Sequence, residues 1–212
     1  MIEIKNISKK FGKLEVLKNV SASCNSGQCI ALIGPNGCGK TTLIKSILGM
    51  VIPDSGSMEF NQKSIFGDYL YREKIGYMPQ IGRYPDTMTI GEIIEMVKKI
   101  RNSKDNLDED LFRDFEIEKM LNKQMRTLSG GTTQKISAVL AFMFNPDVLI
   151  LDEPTAGLDP LAAEVLKEKI IKEKGKGKLI LITSHLLSEL DDLISEIIFM
   201  QDGKIFFHKK VN

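Results

Sequence analysis

A chain of 212 residues with 42% hydrophobic and 27% charged side chains has the size and core material of one domain, or of one domain carrying a subdomain. Its 29 basic and 28 acidic residues nearly cancel to a net charge of +1, and the absence of a basic excess argues against nucleic acid as the partner. Three cysteines in no zinc spacing, no signal-peptide pattern at Met1–Lys9 and no apolar run near ~18 residues predict a cytosolic chain with reduced thiols that meets a membrane only through a partner.

In chain order, Met1–Ile7 alternates, with Ile2, Ile4 and Ile7 apolar, and predicts a half-buried strand. Val20–Cys24 and Cys29–Ile33 predict two more, separated by the turn signal Asn25-Ser26-Gly27. The second runs into Gly34-Pro35-Asn36-Gly37-Cys38-Gly39-Lys40-Thr41, followed by Thr42, which matches G-x-x-x-x-G-K-[ST] without a gap. Thr41–Leu48 then has helical spacing.

Strand, glycine-rich loop and helix in that order suit a nucleotide phosphate. Glycines let successive N–H groups turn inward, and the helix start adds its positive end. Lys40 can reach the β- and γ-phosphates of ATP, and the Thr41 hydroxyl can ligate Mg²⁺. The plain alternative is a glycine-rich turn with an accidental lysine. Cys38 reads most simply as a small residue at a variable position, whereas an exposed thiol there would sense oxidation.

Pro53-Asp54-Ser55-Gly56 predicts a turn, and Ser57–Phe60 and Lys74–Met78 predict short strands. From Thr89 to about Asn145 the pattern becomes helical: Ile90, Ile93, Ile94 and Val97 share a face, Leu107–Leu121 is amphipathic, and Ser137–Phe144 continues. The last third alternates as Val148–Leu151, Leu161–Glu173, Leu179–Thr183, Leu186–Leu193 and Glu196–Met200, which predicts parallel strands covered by helices. A turn at Gln201-Asp202-Gly203 leads into a final strand, Lys204–Phe207, where His208 reads as a surface residue.

The apolar strand at Val148–Leu151 ends in Asp152-Glu153. Ligands collect at the carboxyl ends of strands in α/β sheets, so Asp152 is expected to hold the magnesium and Glu153 to polarise the attacking water as general base. A bland alternative is that the pair caps the next segment. His185 follows the strand Leu179–Thr183, which raises a functional reading over a structural one.

The segment Leu128-Ser129-Gly130-Gly131-Thr132-Thr133-Gln134-Lys135 could by itself be a helix cap. Together with the phosphate loop and the Asp152 strand, it makes the chain resemble the ATP-binding subunit of ABC transporters along essentially all its length. The resemblance implies a P-loop NTPase of ABC type, with an α/β mixed or parallel sheet core, N-terminal antiparallel strands and an inserted α-helical subdomain. One domain would span 1–212, with a RecA-like core over 1–80 and 141–212 and the helical subdomain at about 81–140. It also implies roles by position. Phe11 would stack on adenine; Gln80 would touch the metal and water; Ser129, Gly130 and Gly131 would contact the γ-phosphate held by a second subunit; Ala156–Asp159 would cross the dimer interface; and His185 would contact the γ-phosphate. Implied partners are a transmembrane permease subunit and an ATP-dependent homodimer, or a heterodimer with a similar ATPase, peripheral on the inner face of the membrane.

Thr132 stands where the family usually has glutamine and Lys135 where it usually has arginine, so any bidentate contact by residue 135 is lost. The variant LSGGTTQK and the short C-terminus resemble copper-handling ATPases that support nitrous-oxide reductase maturation. Two rival classes are a soluble ABC-type ATPase for cofactor assembly and one for DNA repair. The second would require a long coiled coil between Lys40 and Ser129, and that stretch has no sustained heptads.

Overall fold

A computed structural model describes residues 1–102, 106–184 and 193–211, and divides them between two compact units, Met1–Arg72 with Lys174–Asn212, and Glu73–Glu173. His185 and most of the expected helix Leu186–Leu193 lie outside the described residues.

The first unit begins with β1 (Ile2–Phe11), which pairs antiparallel with β2 (Leu14–Cys24) on one side and β4 (Ser55–Phe60) on the other; β5 (Lys63–Ser64) continues from β4. Both long strands exceed their expected lengths, and the reason is local. Ile4 and Ile7 are three residues apart, so a regular strand would turn one of them outward. A register shift between them, with Asn6 at φ 52°, resets the alternation and buries both. The Asn6 N–H is satisfied by the Ser21 hydroxyl at 2.9 Å.

β3 (Cys29–Ile33) and β8 (Leu179–Thr183) are buried at nearly every position, as their unbroken apolar runs require. β3 pairs in parallel with both β8 and β9 (Glu196–Gln201), and β10 (Lys204–Lys210) closes a hairpin on β9. Helix α1 (Lys40–Ile47) buries Leu43, Ile44 and Ile47 on one side.

In the second unit, β6 (Ile75–Met78) and β7 (Val148–Asp152) run parallel. Helix α2 (Ile90–Ile100) starts at a capping box in which Thr89 and Glu92 satisfy each other's backbone N–H groups, and it buries Ile90, Ile93 and Ile94. The expected amphipathic helix Leu107–Leu121 is not formed as one piece. Helix α3 covers only Asp110–Asp114, Glu116 adopts φ 51°, and a 3₁₀ turn follows at Ile117–Met120. Leu111, Phe115 and Ile117 are all buried, and a step of two from Phe115 to Ile117 cannot lie on one helical face, so the chain breaks at Glu116. Helix α4 (Gly130–Phe142) and all but the last two residues of helix α5 (Pro160–Gly175) complete this unit.

An ion cluster is buried between the α3 entry and α5. The Lys169 ammonium reaches Asp108, Asp110 and Glu173, with its side chain 3% exposed and that of Glu173 0%. Lys172 adds a second bond to Asp110 at 2.6 Å. Burial alone would lower the Lys169 pKa, but the three carboxylates together raise it above the usual lysine range.

Candidate functional site

The phosphate-loop residues sit where β3 ends and α1 begins. Gly34, Gly37 and Gly39 take φ values of 147°, 78° and 109°, so the loop curls through conformations that side chains avoid. Two of these positions also lack space for a side chain. A Cβ at Gly34 would collide with the Met200 carbonyl oxygen, and one at Gly39 would lie 2.8 Å from that of Val16. The Cys38 carbonyl accepts from Gly203 N–H at 3.1 Å. The loop is thus braced by the backbone of β2, of β9 and of the turn after β9, contacts without a sequence signal because backbone groups are common to every residue.

Gly39 is the N-cap of α1 and no side chain caps that end. Lys40 bends back over the loop, its ammonium donating to the Gly34 carbonyl at 2.6 Å and to that of Pro35 at 3.2 Å. Pro35, Asn36, Gly37 and Thr41 are exposed, with Thr42 half-buried beside them. Cys38 is buried, so the exposed thiol needed for oxidation sensing is not what the loop offers. Phe11, at the end of β1, leaves 51% of its surface exposed, with the Lys9 ammonium 5.5 Å from its ring centre. In the same unit Thr183 pairs opposite Leu32, so β8 ends on the side where the loop begins.

The second unit gathers the remaining described candidates. Met78 pairs with Leu151, so Gln80 and the Asp152-Glu153 pair leave the carboxyl ends of two adjacent parallel strands. Asp152 is buried at the end of β7. Burial raises the Tyr77 phenol pKa above its usual range, and the negative charge of Asp152 adds to that rise. Glu153 takes φ 51°, a left-handed conformation seldom adopted by a residue with a long side chain. It opens two successive turns, in which Ala156 N–H donates to the Glu153 carbonyl at 3.1 Å and Leu158 N–H to that of Thr155 at 3.2 Å.

Ser129 is the N-cap of α4, its hydroxyl accepting from Thr132 N–H at 3.2 Å. It also pairs with the Thr132 hydroxyl at 2.9 Å, so the departure at residue 132 gives the serine a local partner. Ser129 and Gly130 are exposed, and a Cβ on Gly131 would lie 2.7 Å from the Gly157 carbonyl oxygen. Lys135 forms an ion pair with Asp159 at 2.9 Å. Away from these groups, His208 is not merely a surface residue: it bonds at 2.7 Å to Glu196, which is buried and also holds Gln28 at 2.6 Å.

Residues 17–156 match the sequence profile of a family described as ABC transporter. Nod factor export ATP-binding protein I of Ralstonia nicotianae is 30% identical over 213 residues, covering 96% of this chain, which spans only 65% of that relative's length. The lantibiotic transport ATP-binding protein SrtF of Streptococcus pyogenes is 32% identical and is matched over 99% of this chain and 91% of its own. A solved structure described as the ATP-binding subunit of an ABC transporter superposes with a TM-score of 0.92 at 29% identity, over 100% of this chain and 90% of that one.

Proposed function

Because the chain belongs to the ABC transporter family of ATP-binding proteins, we propose that it binds ATP with Mg²⁺ and hydrolyses it to power a separate membrane-embedded permease. The observation that carries this reading is the braced phosphate loop, with its uncapped helix start and a lysine held over it. Helix N-termini and curled glycine loops favour anions, and this one is packed too closely against Met200 and Val16 to admit a side chain at Gly34 or Gly39.

In the proposed mechanism, the N–H groups of Gly34–Thr42 cradle the phosphates while the Lys40 ammonium exchanges its loop carbonyls for β- and γ-phosphate oxygens. Phe11 stacks on the adenine. The donor set of Thr41, Gln80 and Asp152 suits a hard cation that takes few protein ligands and binds mainly through phosphate. When bound, Mg²⁺ neutralises the charge that builds on the transferred phosphoryl group. Glu153 orients and deprotonates water, and His185 contacts the γ-phosphate.

Ser129, Gly130 and Gly131 complete the site of a second copy, or of a similar ATPase, in a head-to-tail dimer. Rotation of the helical subdomain at about 81–140 would pass dimer closure to the permease. No helix among the described residues is long and apolar enough to cross a membrane, so the pathway is assigned to that partner. The relatives named for Nod factor export and lantibiotic transport favour a transporter role over a soluble ATPase for cofactor assembly or DNA repair. The narrower copper-handling reading rests on LSGGTTQK and is secondary to it.

Lys40→Ala is the direct test. Removing one charge-assisted contact to phosphate should weaken ATP binding about 10–100-fold in equilibrium titration. Unchanged affinity would refute the assignment of the loop. Copurification with an integral membrane protein separates the transporter reading from a soluble one.

A further inference from the structure

The geometry points to Lys135 as a positioning residue that ties the start of α4 to the loop after β7 within one chain, so that Ser129–Gly131 and Glu153 are set as one unit. This rests on the ATPase reading above. Gly131 and Lys135 are one helical turn apart and share a face of α4. Both meet the same short loop: Gly131 lies against the Gly157 carbonyl with no room for a Cβ, and the Lys135 ammonium is 2.9 Å from Asp159 Oδ2.

The lysine is held from a second side by the buried Phe115 ring, whose centre is 5.7 Å away. Asp159 is held as firmly. Its Oδ1 accepts from Ala162 N–H at 2.9 Å and so caps α5, leaving Oδ2 for the lysine. An ammonium, or one arm of a guanidinium, can reach Oδ2 without displacing the cap from Oδ1. From Asp159 the constraint runs back through the two consecutive turns to Glu153. The Lys135 contact draws the Asp159 carboxyl below its usual range, and the cap adds to this.

One protomer's signature and its own base are therefore coupled, although on the proposed reading they serve different nucleotides. An exposed pair of this kind contributes little to fold stability, so a kinetic effect would not be expected from a merely structural role. Steady-state ATPase kinetics and thermal melting of the purified full chain test this in Lys135→Met, Lys135→Arg, Asp159→Asn and the double variant Lys135→Met/Asp159→Asn. Asparagine keeps an acceptor for the α5 cap.

Each of Lys135→Met and Asp159→Asn should lower kcat about tenfold, as misplacement of catalytic groups does, with KM for ATP moving less than about twofold. The double variant should be no worse than either single one, and Lys135→Arg should restore turnover through Oδ2 alone. Wild-type kcat in Lys135→Met, additive losses, or a loss that arginine fails to rescue would overturn the coupling. A wild-type chain that does not hydrolyse ATP would instead overturn the function reading, and the coupling with it.

Discussion

Glu153→Gln is expected to bind ATP with near wild-type affinity while losing about 10²–10⁴-fold in turnover, the contribution of a positioned general base. Glutamine keeps the size of the side chain and its place after Asp152 but cannot accept a proton from water. The left-handed φ of 51° at this residue is retained by any side chain of this shape, so the substitution should not disturb the turns that follow. Stalled hydrolysis should also accumulate an ATP-bound dimer, measurable by size-exclusion chromatography with light scattering. Turnover near wild type would show that Glu153 is not the principal base.

Lys169→Met is expected to destabilise the chain by about 3–5 kcal/mol at neutral pH, because removing one partner from a buried cluster leaves charge without compensation. Asp108, Asp110 and Glu173 would lose their shared ammonium, and the first and last of these are almost fully buried. Replacing Glu173 by glutamine in the same chain should recover part of the loss. The deficit should also shrink in acid. In the wild type, Lys172 and then Lys169 hold the Asp110 carboxyl well below its usual range. Its contribution is therefore complete above about pH 4, the unfolded carboxylate value, and is lost as pH falls through the depressed folded value. The variant has less of this contribution to lose, and protonation relieves its buried carboxylates. Urea unfolding between neutral and acidic pH measures both effects, and a pH-independent deficit would count against the electrostatic account.

The parts of the fold that the sequence made legible are those in which one local rule acts alone. Cys29–Ile33 and Val148–Asp152 are unbroken apolar runs that end in motif residues, and both form the expected strands. The expected strand–loop–helix order around Gly34–Thr41 was readable because the pattern is local to eight residues, and the loop does lie between β3 and α1. Where two rules compete, the pattern misleads. The Asn6 bulge carries β1 four residues past Ile7, its expected end, and the turn at Glu116 divides what the charge pattern presents as one helix. Pairings between distant residues left no trace at all: Lys135 and Asp159 are separated by 24 positions, and Lys169 and Asp108 by 61. For the same reason His208 read as a surface residue, since its partner Glu196 becomes its neighbour only through the β9–β10 hairpin.

The burial of all three cysteines gives the chain a chemical reporter of its own opening. Burial pushes the Cys24 thiol up to about 12 and the Cys29 thiol up to about 11, so neither supplies thiolate to a reagent at neutral pH. Cys38, within the loop, keeps its sulfur buried, close enough to Gly34 that a Cβ there would sit 2.9 Å from it. An aromatic disulfide reagent should therefore find almost no reactive thiol in the native chain and all three after denaturation. Cys38 belongs to the nucleotide loop and the other two to sheet strands, so ATP should slow labelling at Cys38 selectively. Mass spectrometry of the labelled peptides would then time the loosening of the loop separately from that of the sheet, with no engineered probe.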